Sequence, residues 1–422
     1  MLVLPALLTA LSAYTVAAAP QQIPLGATRS LSSLVSPHLP SALQSSLART
    51  LAGLPVEHLY QLEQHVFALS DKRRVQLMVG DGETVELTEG EKALLTLEGV
   101  KFVDVTNDVE SAVGMYSKTD YPSKLKHTAK DLDKLFKHIS IDDMKTFITK
   151  FSSFFTRYYR SETGRESQQW LLSHLQSLHK TLNPSANITL REFKHSTWDQ
   201  RTIIVHWAPP ASNLSSHDAP VVILGAHQDS TNRLPFLRAP GADDDGSGTT
   251  ALVQIFTTLL KSKWEPSEHL ELAAFSAEEG GLLGSGEVAR EYVKEGRNVK
   301  AMWHMDVVAY VKPGTEPVIG LITDNSTPEL VDYMKLLIDE YAEIPYAETQ
   351  THYPASDYGS FYKVGYPAAC TAEGKFEDSN PNMHSTADIV DRPDGAYSFE
   401  HIKQFVRFGT GYAVELAGFK AV

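Results

Sequence analysis

The chain has 422 residues, 42% hydrophobic and 21% charged, a globular balance with room for one large domain or one domain and a smaller segment. Its 52 acidic against 38 basic residues give a formal net charge of -14, which argues against general nucleic-acid binding and is ordinary for a soluble exported protein. A single cysteine, Cys370, excludes an intrachain disulfide and any zinc site built on several thiolates, so a metal here needs histidine and carboxylate ligands.

Residues 1–19 form an apolar, Ala-rich run ending in Ala17-Ala18-Ala19 before Pro20, the pattern of a secretory signal with a small-residue cleavage site. No Lys or Arg precedes the run, so the competing reading is an uncleaved anchor. No later stretch reaches the ~18 consecutive apolar residues of a spanning helix, and the mature protein is expected to be secreted, soluble and free of the membrane. Sequons at Asn187, Asn213 and Asn325 fit a glycosylated product, although such triplets also arise by chance. Residues 20–115 carry no chemical cluster and read as a propeptide or accessory segment; their Lys72-Arg73-Arg74 triplet is either a processing site or a solvated surface turn. Residues 116–422 are then the catalytic domain.

Two helices open that domain. Ile141, Met144, Phe147, Ile148 and Phe151 recur at helical spacing after Ser140, and Trp170, Leu171 and Leu175 mark the second. Strand-like runs at 202–207, 220–226, 270–276, 301–307 and 318–323 alternate with helical patterns at about 247–261, 281–295, 326–342 and 398–416. The pattern is α/β, a mostly parallel mixed central sheet with helices on both faces, and ligands in such sheets bind at the carboxyl ends of the strands.

Chemistry-bearing residues fall at those ends. His227-Gln228-Asp229 closes one strand; a metal-bound imidazole commonly donates its other N–H to a carboxylate, and Asp229 is placed to accept it or to neighbour it, while a satisfied surface histidine is the bland reading. Asp243-Asp244-Asp245 sits between glycines before a helix, either relieved by a cation or favoured by the helix N-terminus, and spacing does not choose which carboxylate would bind. Glu278 and Glu279 follow the next strand and point in different directions, so one can ligate while the other takes a proton from water; a solvated turn is the alternative. Asp306 ends a further strand after His304, and His384 lies in a Pro-marked loop. Each piece has a structural explanation, but their shared strand-end placement favours a metal site.

The motifs G-A-H-Q-D-S, P-G-A-D-D-D-G-S-G, A-E-E-G-G, M-D and N-P-N-M-H-S-T-A-D, in this order, resemble the clan MH dizinc exopeptidases over roughly residues 122–420, most closely the secreted leucine aminopeptidases of bacteria and fungi. The resemblance implies two Zn2+ ions held by His227, Asp244, Glu279, Asp306 and His384, with Asp244 bridging and the peptide beside it strained or cis. It makes Glu278 the general base and later acid, and Asp229 the acid that orients His227. It aligns Tyr353 with a donor to the substrate carbonyl, and Val307, Ile322, Cys370, Phe376 and Met383 with the apolar wall of a side-chain pocket, where Ala372 replaces a larger residue. The bacterial members carry a cysteine pair around that tyrosine; this chain has Thr351 and Ala355, which leaves open what holds the loop.

The implied activity is removal of N-terminal residues, bulky apolar ones such as leucine foremost, from peptides with a free amine by a monomeric enzyme. The rivals are a single-metal glutaminyl cyclase, a binding module with damaged ligands and a carboxypeptidase, which would need a basic anchor that the sequence does not reveal.

Overall fold

The computed structural model describes residues 34–79, 82–108, 119–210, 212 and 219–418. The apolar run at 1–19, Asn213 and the expected boundary near residue 115 lie outside them.

The described residues between 34 and 108 fold into a unit with its own core. It contains α1 (Ser41–Gly53), α2 (Val56–Ala68), β1 (Lys72–Leu77), β2 (Thr84–Thr88), α3 (Lys92–Glu98) and β3 (Phe102–Asp104). Pro40 and Pro55 stand just before the first two helices, where a missing N–H costs nothing. The strands pair antiparallel in the order β2-β1-β3, and alternate residues of β1 and β2 are buried, so one sheet face meets Leu47, Leu51, Leu62 and Leu94 in a core of its own. The basic triplet lies in β1, not in a turn: Arg73 is buried and pairs with Asp104 at 2.7 Å, while its neighbours point outward.

The larger body starts with a short turn into α4 (Asp133–Phe136), then α5 (Ile141–Phe151) and α6 (Glu162–Leu182); Ser140 and Ser161, which cap the latter two, accept from Asp143 N and Gly164 N. Next come β4 (Ile188–Phe193), β5 (Thr202–Trp207), β6 (Val221–His227), α7 (Gly246–Lys261), β7 (His269–Phe275), α8 (Leu283–Lys294) and β8 (Val299–Met305). The chain ends with β9 (Ile319–Ile322), α9 (Pro328–Tyr341), β10 (Tyr346–Thr349), α10 (Tyr358–Lys363), β11 (Ala368–Ala372) and α11 (Phe399–Ala417). The sheet order is β10-β9-β11-β8-β6-β7-β5-β4; β6 runs parallel to β7 and β8, β8 to β11 and β9 to β10, and the remaining pairs are antiparallel.

Every residue of β6 and β7 is buried, which is why they read as continuous apolar runs. Their side chains still alternate: Val222, Leu224 and Ala226 meet the layer of α5, α6, α7, α9 and α11, and Val221 and Ile223 meet that of α8 and α10. Parallel β6, β7 and β8 therefore end on one edge, at His227, Phe275 and Met305, and the loops leaving that edge carry the acidic and imidazole groups.

Candidate metal centre

Two histidines and three carboxylates converge at that edge. His227 is buried at the end of β6; its Nδ1 stands 3.2 Å from the Asp229 carbonyl and 3.6 Å from that carboxylate, leaving Nε2 to face Asp244 Oδ1 at 3.2 Å and Asp306 Oδ1 at 3.4 Å. His384 Nε2 lies 3.1 Å from Asp244 Oδ2 and 3.0 Å from Glu279 Oε2. Asp244 thus turns one oxygen to each imidazole.

The triplet that spacing left open separates by its partners. Asp245 accepts from the backbone N–H of His227, Gly248 and Val307, and Asp243 from Ala309 N, Ser247 Oγ and Asn380 Nδ2, so both knit loops together. Asp245 does come within ligand distance of His227 and Asp306, but those three N–H groups already claim its oxygens. Gly248 cannot carry a side chain, because a Cβ would stand 2.3 Å from Asp245 Oδ1. The Asp244–Asp245 peptide is cis.

The adjacent glutamates diverge as expected. Asp229 accepts from both of their N–H groups, at 3.2 Å each, and so fixes the turn; Glu279 reaches His384, while Glu278 lines the cavity outside either ligand group. Burial raises the Glu278 carboxyl well above its ordinary range, and the charges of Asp306 and Glu279 add to this against the opposing field of His227. Burial acts the same way on Asp244, but the two imidazoles outweigh it and hold that carboxyl well below its usual value.

Backbone geometry sharpens the same edge. Ala277, Val307, His352 and His384 all adopt positive φ, between 52° and 65°, and each is a site residue or adjoins one. For β-branched Val307 this is a strained conformation of the kind that concentrates at functional sites.

A cavity of about 280 Å3 opens onto these groups. Val307, Ile322, Cys370, Phe376 and Met383 all line it, with Ala372 and Tyr353, so the residues aligned with a side-chain pocket share one wall. Tyr353 packs edge-on against Phe376. Its loop is held by hydrogen bonds: Asp324 accepts from Thr351 N and His352 N at 3.0 and 2.6 Å, and the Thr351 hydroxyl donates to Tyr353 O at 2.7 Å. His304 is buried and in neither ligand group, 3.8 Å from Asp357.

Sequence reasoning missed the supports. Asp388, at the end of the quoted His384 motif, accepts from Asp243 N and Asp244 N; its place in that motif was the available signal. Fully buried Arg157 donates to the carbonyls of Gln228, Pro240 and Gly241, tying the His227 loop to the Asp244 loop. Nothing local flagged it.

Zinc fits this donor set. His227 Nε2 and Glu279 Oε1 are buried without a hydrogen-bond partner, amid nitrogen and oxygen donors within 4.8 Å of one another, the ligand types that zinc takes in the absence of thiolates.

Residues 203–407 match Peptidase family M28. Leucine aminopeptidase 1 of Neurospora crassa is 38% identical across 82% of this chain and 86% of its own length. The chain belongs to peptidase family M28. It is a zinc-dependent aminopeptidase, a hydrolase of peptides. A probable aminopeptidase of Saccharomyces cerevisiae is 37% identical to this aminopeptidase over 82% of the chain and 93% of its own. In fold, it is similar to the LapA aminopeptidase of Legionella pneumophila, with a TM-score of 0.69 at 23% identity, covering 82% of this chain and 94% of that one. The expected fold and enzyme class are thereby established.

Proposed function

We propose that His227 and Asp306 on one side of Asp244, and Glu279 and His384 on the other, would together with Asp244 hold two zinc ions, and that the enzyme releases bulky apolar residues such as leucine from peptides. The carrying observation is the two-sided contact of Asp244, one oxygen toward each imidazole. The chemistry such a pair would supply when bound is a lowered pKa for water and a polarised scissile carbonyl. Asp229 keeps the His227 ring and the Glu278-Glu279 turn in register. Glu278, at the cavity and outside the ligand groups, takes the proton of the attacking water and returns it to the leaving amine. Tyr353 donates to the substrate carbonyl oxygen, and the wall from Val307 to Met383 receives the side chain.

The five-ligand set favours hydrolysis over single-metal cyclisation, and its completeness argues against a binding module. The carboxylate-rich cavity suits a free α-ammonium, and the one Lys or Arg that lines it among the described residues, Lys101, comes from the N-terminal unit rather than from the body. Leucine p-nitroanilide is expected to be cleaved and its N-acetyl form spared; equal rates on the two would sink the aminopeptidase specificity. Export, removal of residues 1–19, glycosylation at Asn187, Asn213 or Asn325, a monomeric state and an N-terminal propeptide that assists folding or restrains activity before its removal complete the reading. Among the described residues no helix is long and apolar enough to cross a membrane, and the Asn187 amide already donates to the carbonyls of Pro209 and Ser212.

A further inference from the structure

A second and larger cavity, of about 620 Å3, lies beside the one over the metal centre. Leu282, Tyr353 and Pro354 line both, while the apolar wall from Val307 to Met383 belongs to the smaller one alone. Val103 and Val105 of the N-terminal unit pack on Leu282 where the two meet. The unit forms one side of the larger cavity, and α8 and α10 of the body form the other.

The acidic and basic side chains that line the larger cavity are Arg73, Asp104, Asp108, Glu287, Arg290 and Lys363. All but one have close partners. Asp104 accepts from Arg73 at 2.7 Å, Glu287 lies 2.8 Å from both His195 Nδ1 and Ser196 Oγ, and Lys363 donates to Asp108. Arg290 is the remainder: it stands 3.8 Å from Asp108 Oδ1, and its guanidinium makes no hydrogen bond among the described residues. Gly286, one turn earlier on α8, leaves it room, since a Cβ there would stand 3.1 Å from Nη1. Burial weakens the Arg290 charge, and Asp108, Glu287 and Asp104 only partly restore it, so its pKa is lowered. A half-buried guanidinium still stays charged, and its planar fork of donors matches a carboxylate.

We infer that the larger cavity is the subsite for the leaving part of the peptide, and that Arg290 binds a carboxylate there, either the C-terminus of a short peptide or an acidic side chain of a longer one. This rests on the reading that the smaller cavity takes the free amine and the first side chain, and adds what lies beyond the scissile bond. With the first residue against the apolar wall and its carbonyl at Tyr353, the rest of the chain passes along the other side of that tyrosine. Arg290 and Lys363 stand on α8 and α10, so the charge belongs to the body itself.

The test uses the full chain, loaded with zinc. In the series from Leu-Ala to Leu-Ala-Ala-Ala-Ala, the free acid is expected to be preferred over its C-terminal amide by about fivefold or more in kcat/KM at the best length, chiefly through KM. Leu-Ala-Asp amide against Leu-Ala-Asn amide shows whether a side-chain carboxylate serves as well. Arg290→Gln is expected to bring the acid-to-amide ratio to about one, and Arg290→Lys, which keeps the charge but loses the fork, to retain part of it. Saturation-transfer NMR gives a readout without turnover: N-acetyl-Ala-Ala should receive signal from the wild type, its amide little, and Arg290→Gln should abolish the difference. Equal transfer to acid and amide, or the same acid-to-amide ratio in wild type and Arg290→Gln, would overturn the inference and leave the aminopeptidase reading intact. Equal cleavage of leucine p-nitroanilide and its N-acetyl form would instead overturn the free-amine reading beneath it.

Discussion

Around the metal centre the chain buries whole strands and ties its loops through backbone groups, whereas the N-terminal unit meets that centre through a seam rich in charge. At the seam Glu89 accepts from Tyr159 at 2.6 Å and Arg160 at 3.1 Å and pairs with Lys92, while Asp104 binds Arg73 and Lys92. The body's loops are tied through backbone carbonyls that accept from Arg157 and backbone N–H groups that donate to Asp388 and Asp245, whose carboxyls burial raises well above their usual range. A region cross-linked through its backbone stays assembled during catalysis; one joined by ion pairs and a short apolar patch can leave. The difference predicts that the N-terminal unit loosens before the body does.

Breaking the permanent side has the largest expected effects. Glu278→Ala removes proton transfer but no ligand, so turnover should fall by about 10²- to 10⁴-fold with zinc content unchanged; loss of metal would contradict the assigned role. Arg157→Met strands three buried carbonyls and should lower unfolding stability by about 2–4 kcal/mol, read by denaturant titration.

The seam should instead yield to acid. Burial alone would raise the Glu89 carboxyl, but Lys92 and Arg160 outweigh it and bring its pKa from 4.5 to about 2; Asp104 is lowered too, chiefly by Lys92 against its own burial. Lys92 belongs to the same unit as both acids and Arg160 reaches Glu89 across the seam, so these groups stabilise the folded, docked unit above their free pKa and lose that contribution as pH falls through the depressed one. His65, lowered to about 4, stays neutral until the same range. Exchange protection of α3 and β3 should therefore drop between pH 4.5 and about 2 before that of β6 does. Simultaneous loss would mean the two regions are one cooperative unit. The smallest effect is expected for Thr351→Ala, which frees the Tyr353 loop from one hydrogen bond, at about 1 kcal/mol, and should raise KM more than it lowers kcat.

Much of the body was legible because its signals are periodic or local. The fully buried runs of β6 and β7 and the Ser140 cap stand in the sequence, as do the candidate ligand motifs at strand ends. The half-exposed β4 and the short β10 and β11 leave too weak a pattern. Choosing Asp244 over Asp243 and Asp245 required resemblance in sequence, since partners, not spacing, distinguish three adjacent carboxylates. Lys101 and Arg157 were invisible because their meaning lies in distant contacts: one enters from another unit, and the other binds carbonyls 71 to 84 residues away.

Zinc stoichiometry in the purified chain, measured beside His227→Ala, His384→Ala and Asp244→Ala, tests the bridged centre most directly. Two ions per chain are expected, with either histidine variant keeping at most one tightly and Asp244→Ala weakening both. One ion in the wild type, or full occupancy without Asp244, would contradict it.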